Sequence, residues 1–217
     1  IAGTHGKTTT AGLVAWICVQ AGLDPVVLVG GDVPDIGGNA RNGRGSVLVL
    51  EADEYDRTFL HGRSWLSVVL CVEHDHPDIY PDLDAVRDAF RAFVRLVRDD
   101  GKLILGAGSA GAGYLEDAAT VPVELFGLAD DPLPAATMAR WQLADRQQRD
   151  EDQHFAVARD GEPFGTFSAR LPGRHNAANC LAAIATAAAL DIPVDLIRSA
   201  VASYRGVARR FQVVSKV

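Results

Sequence analysis

The chain opens Ile1-Ala2-Gly3-Thr4-His5-Gly6-Lys7-Thr8-Thr9-Thr10, IAGTHGKTTT. Gly6-Lys7-Thr8 leads straight into TTTAGLVAWICVQAGL, a helix-forming run that Gly22 closes. Glycines let backbone N–H groups wrap a phosphate, and the helix behind them turns its positive end toward it. In such a loop the lysine reaches the β- and γ-phosphates and the hydroxyl that follows ligates Mg2+, which assigns those parts to Lys7 and Thr8. The usual pattern places glycine where Ile1 stands, so Gly3 supplies the turn in a variant loop.

Outward from the loop, PVVLVGG (25–31), SVLVLEADE (46–54) and SVVLCVEHDH (67–76) are short apolar runs, the last two ending in polar clusters. That texture belongs to buried parallel strands. Between Asp82 and Arg98, Val86, Phe90, Phe93 and Val97 recur at helical spacing. KLILGAG (102–108) and VPVELFG (121–127) read as further strands. After Pro134 the pattern alternates apolar and polar through 137–148, 153–160 and 163–171, with Asp160-Gly161 as a hairpin turn. Helices return at 176–190 and 193–204, and the Gly/Asn-rich stretch 30–45 reads as a loop. The expected fold is α/β: a mostly parallel, doubly wound P-loop sheet with flanking helices over about 1–135 and 171–208, plus a small antiparallel meander over about 137–170.

Composition narrows the function. The chain has 217 residues, 48% hydrophobic and 23% charged, as an ordinary globular domain has. A net charge of −7 argues against a non-specific nucleic-acid binder. The most apolar stretch, 180–190, is about half the ~20 residues that span a bilayer, so no membrane role is expected. Cys18, Cys71 and Cys180 lie in apolar runs and read as buried thiols of a reducing compartment, with the cytoplasm as default.

Ligands of open α/β sheets gather beyond the carboxyl ends of the strands. Two such ends carry EADEYD (51–56) and EHDHPD (73–78), and the opening loop would lie at a third. Four acids within 51–56 repel one another unless a cation is near, which points to a metal role for at least one. From spacing alone His74 and His76 read more readily as structural; strand-end placement brings a functional role for His76 level with that reading.

GTHGKTTT (3–10), EADEYDRTFL (51–60), VEHDHPDIYPDLDAV (72–86), PGRHNAANCLAA (172–183) and GVARRFQ (206–212), in that order, resemble the ATP-binding central domain of the Mur ligases. His5 in the loop and GVARRFQ resemble the alanine-adding branch; Tyr55 also fits the branch that recycles a tripeptide, which stays open as an alternative. A nucleotide-binding module without ligase activity is the other. The resemblance implies an ADP-forming acid–amino-acid ligase of peptidoglycan synthesis that uses ATP and Mg2+ and passes through an acyl phosphate. UDP-N-acetylmuramate and L-alanine are its implied partners in the full-length enzyme. It implies nucleotide contacts from Gly3, Thr4, His5, Gly6, Lys7, Thr8, Thr9, His175, Asn176 and Asn179, and catalytic roles for Lys7, Glu51, His76 and Arg210 (or its neighbour Arg209). Thr8, Glu51 and His76 are its implied metal ligands, with Asp53 and Glu54 as supporting acids. Some members carry a carbamylated lysine after the metal histidine; 84–100 offers only arginines, as the alanine-adding branch does. The family has three domains, and this chain is expected to be the excised middle one, without the sugar-nucleotide and amino-acid domains and without turnover of its own. The resemblance and composition leave oligomeric state unassigned.

Overall fold

The computed structural model describes residues 1–108, 112–131 and 139–208. In chain order the elements are α1 (Lys7–Gln20), β1 (Val26–Val33), β2 (Gly38–Arg41), β3 (Leu48–Leu50), β4 (Leu66–Val69), α2 (Leu83–Val94), β5 (Lys102–Gly106), β6 (Val123–Leu128), β7 (Trp141–Arg149), β8 (Asp152–Arg159), β9 (Glu162–Ala169), α3 (Arg174–Ala189) and α4 (Val194–Ser203).

The strands form a three-stranded sheet, β2-β1-β3, and a six-stranded sheet, β4-β5-β6-β7-β8-β9. Ile1 and Ala2 join them. The Ile1 amine donates to Leu50 O (2.8 Å) and Ala52 N donates to Ile1 O (2.8 Å), while Ala2 N donates to Val68 O (2.8 Å) and Leu70 N to Ala2 O (3.0 Å). Two extended residues thus lie between β3 and β4, at the hinge of the two sheets.

Pairing is parallel through β4-β5-β6, as the continuous apolar runs require, and β6-β7 is parallel as well. The antiparallel meander β7-β8-β9 therefore continues the main sheet instead of standing apart from it. Asp160 (φ 53°) and Gly161 (φ 81°) make the tight turn between β8 and β9 that their sequence suggests.

Segment 30–45 departs from its reading as a loop. β1 runs on to Val33, turns at Pro34–Ile36, and returns as β2, with Leu28 opposite Ala40 and Val33 opposite Gly38. Gly-Asn-Ala-Arg has low strand preference and no apolar alternation, so pairing to β1 makes the strand where propensity does not. An Arg41–Asp24 ion pair fastens its end.

Helices cover both faces. On one, α1, α3 and α4 bury Leu13, Ile17, Cys180, Leu181, Ile184 and Ile197 completely. Alanines along α3 let α1 come close, which explains why both helices are apolar nearly all round. On the other face α2 buries Val86, Phe90 and Phe93, Phe93 stacking on Phe59 at 4.9 Å. Asp82 caps α2 by accepting from Ala85 N at 2.8 Å. Among the described residues no helix is long and apolar enough to cross a membrane.

Leu181 on α3 is fully enclosed against α1. Leu181→Ala is expected to lower the unfolding free energy by about 2–5 kcal/mol in urea titrations, with the m-value unchanged.

Candidate functional site

The opening loop is pinned to the end of β4. Thr4 N donates to Cys71 O (3.0 Å), and the Thr4 hydroxyl accepts from Glu73 N (2.9 Å). Gly3 (φ 131°) and Gly6 (φ 83°) take backbone that other residues avoid. Gly6 begins α1 with no side-chain cap, so the first-turn N–H groups keep the anion-binding character of a helix start. A Cβ on Gly6 would lie 2.3 Å from Asn179 Oδ1, so α3 presses directly on the loop.

Lys7 Nζ donates to Glu54 Oε2 (2.7 Å), Glu54 Oε1 (3.0 Å) and Thr4 O (3.4 Å). The Glu54 side chain is only 2% exposed, which makes this a buried ion pair. His76 Nε2 stands 3.8 Å from Glu54 Oε1, and Asp53 Oδ1 stands 3.9 Å from Lys7 Nζ. Asp53, Glu54 and His76 each place a ligating atom within 4.8 Å of the other two.

The acid beside Lys7 and His76 is thus Glu54, while Thr8 and Glu51 of the expected metal set Thr8, Glu51 and His76 touch each other. Glu51 is in the site but one layer away: it accepts from the Thr8 hydroxyl (2.9 Å) and from Gly30 N. The reason is local. β3 ends at Leu50, and a short turn starting at Tyr55 swings Glu54 inward, which strand alternation alone does not foretell. Thr8, given to the metal by the loop pattern, is here tied to Glu51. His74, left out of the site, holds Tyr80 O with Nε2 at 3.0 Å.

A cavity of about 860 Å3 extends from the loop past the ends of β4, β5 and β6 to the start of α3. His5, Gly6, Thr9, His175, Asn176 and Asn179 all line it. Asn176 Nδ2 donates to Pro172 O (2.7 Å) and Asn179 Nδ2 to Asn176 Oδ1 (3.2 Å), so both amides share one helix face as their spacing requires. His5 Nε2 pairs with Glu73 Oε2 at 3.3 Å. Arg210 and Arg209 lie outside the described residues.

Several lining groups escape sequence reading. Arg174 bridges to Asp130 and Asp131 and so fixes the start of α3 to the end of β6. Arg205, also lining the cavity, donates from Nε to Asp35 Oδ1 (2.6 Å) and from its backbone N to Asp35 Oδ2 (2.8 Å). Cys71 lines it too, and burial raises its thiol pKa. Each depends on a partner distant in sequence; Arg174 alone had a local sign, its place beside His175-Asn176.

A phosphate loop at a sheet crossing, a buried lysine–glutamate pair and an Asn-bearing helix over one cavity define a nucleotide-binding P-loop domain. The chain belongs to the Mur ligase family: the Mur ligase middle domain matches residues 1–187. It is 38% identical over 217 residues to a UDP-N-acetylmuramate–L-alanine ligase of Sorangium cellulosum, covering all of this chain and 45% of that protein. The crystal structure of MurC, UDP-N-acetylmuramate-alanine ligase, from Thermotoga maritima superposes with a TM-score of 0.83 at 27% identity, over 100% of this chain and 46% of that one. A Neisseria ligase joining UDP-N-acetylmuramate to L-alanyl-γ-D-glutamyl-meso-diaminopimelate superposes at 0.79 with 32% identity, over 96% and 66%. The chain spans about half the length of the curated relatives it matches.

Gly6→Ala is expected to be the more damaging of two glycine substitutions. It meets both the strained φ and Asn179 and should cost about 2–4 kcal/mol. At Gly37 (φ 82°) nothing lies within 4 Å of an added Cβ. Gly37→Ala should cost only about 1 kcal/mol, which thermal unfolding of the pair would check.

Proposed function

We propose that this chain is the ATP-binding middle domain of a UDP-N-acetylmuramate–L-alanine ligase. That enzyme phosphorylates the sugar nucleotide's carboxylate with ATP, releasing ADP, and lets the amine of L-alanine displace the phosphate. The observation that carries the reading is the grouping of Lys7, Glu54, Asp53 and His76 beside an uncapped helix start.

Both steps need charge neutralised and reactants aligned more than they need a protein nucleophile. Lys7 is placed to leave Glu54 for the β- and γ-phosphates and to offset charge on the migrating phosphoryl group. Backbone N–H groups of the loop and first helical turn hold the phosphates. Asn176 and Asn179 offer donor and acceptor to the adenine edge or ribose, with His175 and Thr9 alongside. Arg210, assigned by the family likeness, offers its planar fork to oxyanions.

Mg2+ suits the donors present, since hard carboxylate and hydroxyl oxygens predominate. Glu54 and Asp53, with His76 and the Thr8–Glu51 pair behind them, are the residues that would hold it. When bound, it would supply Lewis-acid stabilisation of phosphate charge. The nucleotide substrates make the cytoplasm the expected compartment.

A second reading, a ligase that adds a recycled tripeptide to the same sugar nucleotide, is favoured by the likeness to the Neisseria enzyme. Product analysis of the full-length enzyme offered L-alanine and tripeptide together separates the two.

Two measurements test nucleotide binding on this chain. Lys7→Ala should weaken ATP binding in Mg2+ by about tenfold or more in calorimetry, because a charge-assisted contact is lost. Equal affinity overturns the reading. Alkylation gives an independent check. Burial holds the thiols of Cys18 and Cys180 up at about 12, so both should stay unreactive at pH 8. Cys71, on the cavity wall, should react slowly and more slowly still with Mg2+-ATP present.

A further inference from the structure

We infer that Tyr80 is a positioning residue that locks the Glu54 segment and the His76 turn into one metal-binding unit. The inference rests on the nucleotide reading above. Tyr80 is fully buried, its ring within the apolar cluster of Phe59, Val72, Val86 and Phe90. Three polar contacts leave it for the two segments that carry the acids and the imidazole.

Its hydroxyl donates to Glu54 O at 2.7 Å. Its backbone N donates to His76 O at 2.9 Å, closing the turn that holds His76 at φ 54°. Its own carbonyl takes the Nε2 of His74 at 3.0 Å. The guanidinium of Arg57, in the turn after Glu54, lies 5.5 Å from the ring centroid and covers it.

The consequence is mechanical. Glu54 O sits on the backbone that aims the Glu54 carboxylate, so a tether there limits how far the carboxylate can drift from His76 Nε2. A phenylalanine would fill the same volume but lose the buried bond from the Tyr80 hydroxyl to Glu54 O, leaving only the exposed Tyr55–Asp78 bond (3.3 Å) to join the segments by a side-chain hydrogen bond among the described residues. Such outer contacts typically govern metal affinity by about 10–100-fold. Tyr80 acts through a backbone carbonyl, one step further out, so the lower end applies.

The test is calorimetry of ATP binding as a function of Mg2+, in wild type, Tyr80→Phe and Phe90→Ala. Phe90→Ala opens the same cluster without touching either tether. Tyr80→Phe should raise the Mg2+ concentration for half-maximal ATP affinity about tenfold while metal-free ATP binding holds. Phe90→Ala should lower the thermal midpoint at least as much yet leave the Mg2+ curve in place. A wild-type Mg2+ curve retained by Tyr80→Phe, or shifted as far by Phe90→Ala, overturns the inference alone. Absence of Mg2+-dependent binding in wild type overturns the nucleotide reading and takes the inference with it.

Discussion

The ion pair between Lys7 and Glu54 is the constraint around which the site is built. A carboxylate 2% exposed and an ammonium 13% exposed must be matched to each other, because either one alone would be an unpaired buried charge. Such a pair adds little net stability, since desolvation offsets most of its Coulomb energy. Its worth is geometric: it holds α1 against the segment that follows β3.

Topology explains why the pair lies where it does. Ile1 and Ala2 lie between β3 and β4. From them the chain moves to one side through α1, β1, β2 and β3, and afterwards to the other through β4, β5 and β6. That reversal is a switch point, where connections leave in opposite directions and open a crevice beyond the strand ends. The loop, the acids after β3 and the polar cluster after β4 are neighbours for that reason, although 51–56 and 73–78 are distant from residues 3–8 in sequence.

Much of this was legible. Period and punctuation marked α1, α2 and the parallel strands, because buried strands and amphipathic helices write their burial directly into residue order. The phosphate loop was legible because few sequences other than an anion site place GKTTT at a helix start. The β1–β2 hairpin was not, since Gly38–Arg41 is a strand only by pairing. Nor was the pairing of Lys7 with Glu54 in preference to Glu51. Both acids stand in EADE, and which one meets Lys7 is decided by the turn that starts at Tyr55, a matter of backbone direction that composition does not encode. The clasp of Arg174 on Asp130 and Asp131 and the contact of Arg205 with Asp35 depend on partners far along the chain and leave no periodic trace.

The backbone around the acids carries a further argument. Asp56 (φ 53°), Arg57 (φ 57°) and His76 (φ 54°) are non-glycine residues in left-handed conformation; the first two follow Glu54 and the third is its partner. Each costs of order 1 kcal/mol and persists only where surrounding bonds over-determine it. Those bonds are present: Arg57 N to Glu54 O (3.0 Å), Phe59 N to Asp53 O (3.1 Å), and both Ile79 N and Tyr80 N to His76 O (2.9 Å). Strain held this way keeps the acids and the imidazole from relaxing apart when no cation draws them together. Lys7 meets them from α1, its ammonium on Glu54 and 3.9 Å from Asp53. The site therefore sets one buried cation on an acidic wall whose direction the backbone fixes.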